Sequence, residues 1–151
     1  MYNDLMNRRV AVRAVITYEG KLFCLRLKPY RHKDAPSYWC TPGGGLDDGE
    51  AIIPALEREI IEELGVRPVI GNLIYVQQFI HKDVEQMELF FHVTNTRDFL
   101  NVDLSKTSHG KVEIEEVRFI DITSEHILPE FLKTESFDNI AAQPTQFFNY
   151  L

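Results

Sequence analysis

The segment GGLDDGEAIIPALEREIIEELGV, residues 44–66, predicts the central helix of the fold and the chemistry attached to it. Its first six residues include three glycines and two aspartates, a composition typical of a turn-rich loop. The residues after this loop carry apolar side chains at helical spacing, and Gly65 is a natural C-terminal cap. Pro54 is tolerated only in the first turn of a helix, so the helix is predicted to begin near Ile53 and to end at Leu64.

Three glutamates of this helix share one face. Glu59, Glu62 and Glu63 stand at positions i, i+3 and i+4, which places them within an arc of about 100°. The adjacent stripe is apolar and consists of Ile53, Leu56, Ile60 and Leu64. Like charges at this spacing repel one another, and a divalent cation would remove that cost because hard cations bind carboxylate oxygens. The alternative is a solvated helix face, which is what most runs of charge form.

The spacing of the whole segment carries a family signature. The positions that define it are Gly44, Glu50, Arg58-Glu59, Ile60, Glu62-Glu63 and Gly65-Val66. This arrangement resembles the Nudix box, the signature of the Nudix hydrolase family (MutT-like), and every position of the box is filled. The preceding residues 39–44, WCTPGG, resemble the lead-in that usually comes before the box.

The resemblance implies a divalent metal, Mg²⁺ or Mn²⁺, held by the box. It implies that Glu59, Glu62 and Glu63 are catalytic metal ligands, joined by the backbone carbonyl of Gly44. Arg58 is expected to orient the box glutamates, and Glu50 to fix the junction between loop and helix. For Arg58 and Glu50, ordinary salt bridges on the helix surface are the alternative.

The glycine triplet has an expected role in binding. Gly43, Gly44 and Gly45 lack a Cβ, so the loop backbone can approach the metal and the substrate phosphates. Arg26 lies where family members often place an arginine that touches substrate phosphate. It belongs to a basic cluster with Lys28, Arg31, His32 and Lys33, for which a solvated loop is the alternative. Trp39, Tyr30 and Phe79 are candidates to stack on a base, although a lone aromatic residue more often belongs to a core.

Many family members draw a further acid from outside the box. The segment HGKVEIEEVRFI, residues 109–120, resembles that region, and Glu113 is the expected catalytic acid, with Glu116 second. The alternative is the solvent face of a strand over Val112–Ile120, on which Glu113 and Glu115 would alternate with buried residues.

The rest of the chain reads as strands and short helices. Strands are predicted within Arg9–Lys28, with a turn at Glu19-Gly20, and at Asn72–Ile80 and Met87–Thr94, which the polar residues 81–86 join. Short helices are predicted after Ile122, around Phe131 and around Phe147-Phe148. This order, with the resemblance, predicts an α/β (α+β) fold: a Nudix-type α/β/α sandwich with a mixed β-sheet between helices, as a single domain over residues 1–151.

Composition limits the partners. The chain has 151 residues, and 23 acidic against 16 basic residues give a net charge of −7, which argues against extensive contact with nucleic acid or anionic lipid. A phosphate-bearing small ligand remains compatible if a metal lies between carboxylates and phosphates. Cys24 and Cys40 form no disulfide framework, and the N-terminus has no apolar run like that of a signal peptide, so a reducing cytoplasm is expected.

The resemblance implies cleavage of a nucleoside diphosphate linked to another group. ADP-ribose enzymes of the family tend to have a proline after the box, and dinucleoside polyphosphate enzymes a tyrosine slightly further on. Residues 81–84, which occupy these places, are His, Lys, Asp and Val. By elimination the expected substrate is a nucleoside triphosphate, oxidised forms included. The alternatives are a non-catalytic nucleotide sensor and a hydrolase of ADP-ribose or another nucleotide sugar. The aromatic C-terminus QFFNYL, residues 146–151, either caps the core or forms a homodimer contact.

Overall fold

The computed structural model describes residues 7–29 and 37–151. Its strands are β1 (Arg8–Val15), β2 (Thr17–Tyr18), β3 (Lys21–Leu27), β4 (Trp39–Cys40), β5 (Gly43–Gly45), β6 (Ile70–His81), β7 (Val84–Val93), β8 (Ile114–Ile120), β9 (Ile127–Leu128) and β10 (Gln146–Asn149). The α-helices are α1 (Ile52–Leu64) and α2 (Gly110–Glu113), and 3-10 turns lie at Thr96–Phe99, Leu104–Lys106, Glu130–Thr134 and Ile140–Ala142. Tyr30, Arg31, His32 and Lys33, considered above, lie outside the described residues.

The strands form two mixed sheets. The first has the order β10-β6-β7-β1-β5, and the second has the order β2-β3-β4-β9 with β8 paired to β3. In the first sheet β1 runs parallel to β7 and antiparallel to β5. The predicted α+β class with mixed strand pairing is confirmed, with the strands divided between two sheets. No helix in the described part of the chain is both long and apolar enough to cross a membrane.

The first sheet is buried on both faces. Because side chains alternate along a strand, Val12 and Ala14 of β1 face one core while Val15 faces the other. The first core contains Leu56 and Ile60 of α1, so the helix is anchored by the apolar stripe predicted for it. This anchoring turns the glutamate face of α1 toward β5 and the end of β1.

The bounds of α1 agree with the sequence pattern. The helix begins at Ile52, one residue before the predicted start, and Pro54 lies in its first turn. It ends at Leu64, and Gly65 adopts a left-handed conformation with φ 71° while its N–H donates to the Ile61 carbonyl.

Two strand predictions need correction. The strand predicted from Val112 begins at Ile114, because Gly110–Glu113 forms one turn of helix that packs on the end of α1. Four of the six residues of the polar stretch 81–86 belong to strands, since only Lys82 and Asp83 form the turn. Both turn residues have positive φ, 49° and 61°, as a two-residue hairpin requires.

The C-terminal segment is also different from its prediction. Phe147 and Phe148 lie on strand β10 rather than in a short helix, because this segment pairs in parallel with β6. Phe148 stacks on Phe131 with ring centroids 4.0 Å apart, so it covers the second core, while Phe147 points into solvent. The short helix predicted around Phe131 is present as a 3-10 turn.

Candidate active site

Arg58 is the centre of the polar network at the start of α1. Its guanidinium binds Glu50 through two hydrogen bonds, from Nε at 2.7 Å and from Nη2 at 2.8 Å. Its Nη1 donates to Glu59 at 3.0 Å and to Glu62 at 3.2 Å. Its Nη2 also donates to the Gly45 carbonyl at 3.2 Å, which joins the helix to β5. A planar guanidinium with five donors suits this fixed arrangement of acceptors.

Glu50 lies in the loop before α1, as expected from the position of Pro54. The hydrogen bonds from Arg58, followed by the one from the Asp47 N–H, lower the pKa of Glu50 to about 2. The Glu50 carboxylate therefore stays ionised and keeps Arg58 in place over the whole neutral and mildly acidic range.

The predicted glutamate face differs in burial from residue to residue. Glu63 is buried, with 9% of its surface exposed, whereas Glu59 and Glu62 are partly exposed. Burial raises the pKa of Glu63 well above its usual value, although the nearby charge of Arg13 opposes this shift. Burial also raises the pKa of Glu59, against the effect of Arg58. A cation beside these carboxylates would offset the cost of burying their charge.

The glycine triplet brings backbone close to this face. A Cβ on Gly44 would lie 2.6 Å from both carboxylate oxygens of Glu59, so a larger residue there would displace that carboxylate. Gly43 has φ 141°, and a Cβ there would overlap the Val12 carbonyl. The triplet therefore lets the backbone at the edge of the first sheet lie in close contact with the glutamate face.

The residue before the short helix α2 is a histidine that the sequence pattern does not mark as part of the site. His109 Nδ1 lies 2.9 Å from Glu62 Oε2, and the His109 N–H donates to the Glu62 carbonyl at 2.9 Å. Gly110 packs so tightly on the end of α1 that a Cβ would overlap the Glu63 carbonyl. An isolated histidine without ligand spacing gave no signal of this contact, which depends on two segments far apart in the chain.

Glu113 is the last residue of α2 and does not alternate on a strand face. Its carbonyl accepts a hydrogen bond from the Lys28 N–H at 2.8 Å. Its carboxylate is among the charges that raise the pKa of Glu63, so the structure brings the two acids into one neighbourhood. Glu116, the second choice, lies instead on β8 and pairs with Arg26.

Arg26 lies beside the only tryptophan. Its Nη2 pairs with Glu116 at 3.4 Å, and its guanidinium carbon lies 5.1 Å from the Trp39 ring centroid. Arg118 approaches the same ring at 4.8 Å. Trp39 is 4% exposed and belongs to the second core, so it is packed between arginines and core side chains and offers no open face to a base.

A cleft of about 470 Å³ opens between the two sheets. Its walls are mainly apolar and include Leu27, Tyr38, Phe79 and Leu128. Arg13, Gln77 and Glu88 of the first sheet also line it. Because the charge of Arg13 also lowers the pKa of Glu63, the cleft lies next to the glutamate face. No local pattern in the sequence marks these three polar residues, since each is a single polar position on a different strand.

The donors on the glutamate face fit a hard divalent cation. Glu59, Glu62, Glu63 and the Gly44 carbonyl supply only oxygen, which Mg²⁺ and Mn²⁺ prefer. Because Gly44 has no side chain, the Glu59 carboxylate lies close to the Gly44 backbone. Among residues 7–29 and 37–151, no three acidic, histidine or cysteine side chains converge as a ready-made metal cage, and Glu59 and Glu62 contact Arg58.

Comparison with known proteins gives the family. A model described as NUDIX domain matches residues 7–139, which is most of the chain. The matched region contains α1, the glycine triplet, α2 and the strands that line the cleft. The chain belongs to the Nudix family.

Individual relatives are more distant. An RNA pyrophosphohydrolase from Bartonella quintana is 38% identical over 69 residues, which cover 44% of this chain and only 40% of that protein. An RNA pyrophosphohydrolase from Azorhizobium caulinodans is 27% identical over an alignment of 163 positions, gaps included, which covers 95% of each chain. The crystal structure of a MutT protein from Methanosarcina mazei Go1 has a TM-score of 0.66 at 22% identity, covering 87% of this chain and 91% of that one. At this identity the structural likeness shows the fold alone.

Proposed function

We propose that this chain is a pyrophosphohydrolase, dependent on Mg²⁺ or Mn²⁺, that cleaves a nucleoside diphosphate linked to another group. The proposed substrate is a nucleoside triphosphate, including oxidised forms. The observation that carries the proposal is the glutamate face of α1, which Arg58 organises and which adjoins a cleft large enough for a nucleoside. A cytoplasmic location is proposed with it, since Cys24 and Cys40 are both free thiols.

The chain's own residues have distinct proposed roles. Glu59, Glu62, Glu63 and the Gly44 carbonyl would hold the metal, which when bound neutralises phosphate charge and activates water for attack. Arg58 positions Glu59 and Glu62 through its hydrogen bonds. Glu113, the acid next to Glu63, is proposed as a further ligand or as the general base.

The phosphate side of the site is assigned to two groups. The backbone of Gly43, Gly44 and Gly45 lies at the edge of the sheet beside the glutamates, where phosphate oxygens would approach. Arg26 is proposed to bind substrate phosphate, since its contact with Glu116 is long, at 3.4 Å, and its side chain is 38% exposed. A phosphate would then replace Glu116 as the partner of Arg26.

A substrate panel tests the proposal. Nucleoside triphosphates, ADP-ribose and a nucleotide sugar are incubated with Mg²⁺, and pyrophosphate, phosphate and nucleotide products are quantified. We expect triphosphates to yield pyrophosphate, and Glu62→Gln or Glu63→Gln to lower kcat by about 100-fold or more. Glu57→Gln is the matched control, because Glu57 lies on the same helix but pairs with exposed Arg67 and should leave kcat unchanged. Full activity in either ligand variant would refute the metal assignment, and nucleotide binding without turnover would favour the sensor.

RNA with a 5′-triphosphate end is a second candidate substrate. The observation that favours it is that the relatives from Bartonella quintana and Azorhizobium caulinodans are RNA pyrophosphohydrolases. The net charge of −7 disfavours long contact with RNA but not capture of a terminal triphosphate. A triphosphate-ended oligonucleotide compared with the free triphosphate of its first base decides between them. A higher kcat/KM for the oligonucleotide would replace the first proposal with the second.

A further inference from the structure

Three polar side chains form a row across the floor of the cleft. Arg13 lies on β1, Glu88 on β7 and Gln77 on β6, which are neighbouring strands of the first sheet. Arg13 Nη2 lies 3.7 Å from Glu88 Oε1, and Gln77 Nε2 donates to Glu88 Oε2 at 3.2 Å. Gln77 and Glu88 are only 5% and 8% exposed, in a cleft whose walls are largely apolar.

The row has hydrogen-bonding capacity to spare. Among the described residues, the Arg13 side chain makes no hydrogen bond and has only the 3.7 Å ion pair with Glu88. Gln77 turns its amide nitrogen toward Glu88, to which it donates. Its carbonyl oxygen is then the group left for a ligand. Polar groups that line a largely apolar cleft and have unused donors or acceptors are candidates for recognising a polar ligand.

The order of donors and acceptors in the row selects among bases. Arg13 supplies donors at one end, Glu88 supplies acceptors in the middle, and Gln77 supplies an acceptor at the other end. Guanine has the complementary edge, since O6 accepts and both N1–H and the N2 amino group donate. Uracil would set an acceptor against Gln77, while adenine would set its N1 acceptor against Glu88. Cytosine, read in either direction, mismatches at least one position.

We infer that this cleft recognises guanine through Arg13, Glu88 and Gln77, which makes guanine nucleotides the preferred substrates of the site. This inference rests on the proposed function, because it takes the cleft as the nucleoside side of the active site. Phe79 lies two residues after Gln77 on the same face of β6, and its ring provides a surface on which the base can stack. Reading a base by its edge while an aromatic ring holds its face is a general mode of recognition.

Binding of nucleoside monophosphates tests the inference without requiring hydrolysis. GMP, IMP and AMP are titrated into the protein, and dissociation constants are measured by calorimetry or NMR. We expect GMP to bind at least tenfold more tightly than AMP. IMP, which keeps O6 and N1–H but lacks the amino group, should bind with intermediate affinity. Equal affinities for GMP and AMP would overturn the inference.

Variants separate the roles within the row. Gln77→Leu should remove the difference between GMP and IMP while leaving both tighter than AMP. Glu88→Gln should reduce the preference for GMP over AMP to less than threefold. Glu85→Gln is the matched control, because Glu85 is also on β7, is 7% exposed and pairs with Arg8 of β1, yet does not line the cleft. A Glu88→Gln protein that keeps the wild-type preference for GMP over AMP would contradict the assignment. The comparison of GMP with IMP uses the wild-type protein, so it does not depend on the folding of a variant.

The outcome is distinguishable from that of the proposed function. Hydrolysis of all triphosphates without preference among bases would overturn the guanine assignment and leave the pyrophosphohydrolase intact. Selective binding of GMP by a protein that hydrolyses no nucleotide would support the assignment and refute the proposed activity.

Discussion

At the scale of single residues, Arg58 and Arg13 show two uses of a guanidinium. Arg58 is saturated by Glu50, Glu59, Glu62 and the Gly45 carbonyl, so it fixes the geometry of the loop and helix. Arg13 has a single loose ion pair in the described structure and faces a cleft. A saturated arginine contributes order, whereas one with unused donors is suited to binding a ligand.

The thiol of Cys40 permits a prediction at this scale. Cys40 lines the cleft, and burial raises its pKa from 9.0 to about 11, against the effect of Arg13. Because only the thiolate attacks, alkylation by iodoacetamide at pH 8 should be about 100-fold slower than that of a free cysteine. Intact-mass spectrometry over time measures this rate.

A control in urea shows that both thiols react once they are exposed. Cys24 should be slower still in the native protein, because burial raises its pKa further. Native labelling of Cys40 at the rate of a free thiol would show that the cleft does not shield it.

The sequence identifies residues well where their spacing is local. Glu59, Glu62 and Glu63 are found because helical geometry alone places them on one face. Arg13, Glu88 and Gln77 come together only through strand pairing between distant segments, so no local spacing reveals them. His109 is missed for the same reason, since its contact with Glu62 depends on how α2 docks.

At the scale of elements, the docking of α2 on the end of α1 controls the glutamate face. The Gly110 backbone lies against the Glu63 carbonyl, and His109 contacts Glu62 through both its N–H and its ring. Any change that separates the two helices should therefore disturb two glutamates together.

Gly110→Ala should separate them. The added Cβ would overlap the Glu63 carbonyl, and overpacking of this kind costs about 1–3 kcal/mol of unfolding free energy. We expect a lower urea midpoint and a fall in kcat, because both the backbone of Glu63 and the His109–Glu62 contact would shift. Lys111→Ala is the control, since Lys111 is exposed and its backbone contacts are kept. A Gly110→Ala protein with wild-type midpoint and kcat would show that the two helices are not tightly coupled.

Elements are predictable where local chemistry determines them. Pro54 and Gly65 fix the ends of α1 to within one residue, because each constrains the backbone directly. The C-terminal strand β10 is predicted wrongly, since it has only four residues, and two adjacent phenylalanines show no alternation of apolar and polar positions. Its conformation comes from pairing with β6 and from the stacking of Phe148 on Phe131. Tertiary contacts of this kind override local preference.

At the scale of the whole molecule, the acidic charge is unevenly used. Part of the charge lies on solvent-exposed carboxylates. For Glu59 and Glu63, in contrast, burial disfavours the ionised form and raises the pKa. Composition could predict a net charge of −7 but not which carboxylates would be buried, because burial depends on the packing of α1 against the first sheet.

His92 makes the stability of the fold depend on pH. It is 8% exposed, and burial lowers its pKa below 6.5, so the folded protein holds it neutral. As pH falls below 6.5 the unfolded chain binds a proton that the folded chain resists, so the free energy of unfolding decreases. The raised pKa of Glu63 acts in the opposite direction, so the contribution of His92 is measured by comparison with a variant. When the pH is lowered from 7.5 to 5.5, the change in urea midpoint should be less favourable for the wild type than for His92→Gln.

An exposed histidine provides the comparison. His126→Gln should keep the pH dependence of the wild type, because the His126 side chain is exposed. If His92→Gln and His126→Gln had the same pH dependence as the wild type, burial of His92 would not be its source.

The position of Trp39 has an optical consequence. It is the only tryptophan of the chain, so all indole emission comes from one ring that two guanidinium groups approach. Positive charge beside an indole alters the energy of its excited state, and Arg26 is the arginine proposed to bind phosphate. The wavelength of emission therefore depends on where that guanidinium lies. The fold thus contains an intrinsic fluorescent reporter of the proposed phosphate subsite, and no dye or label is needed to follow binding there.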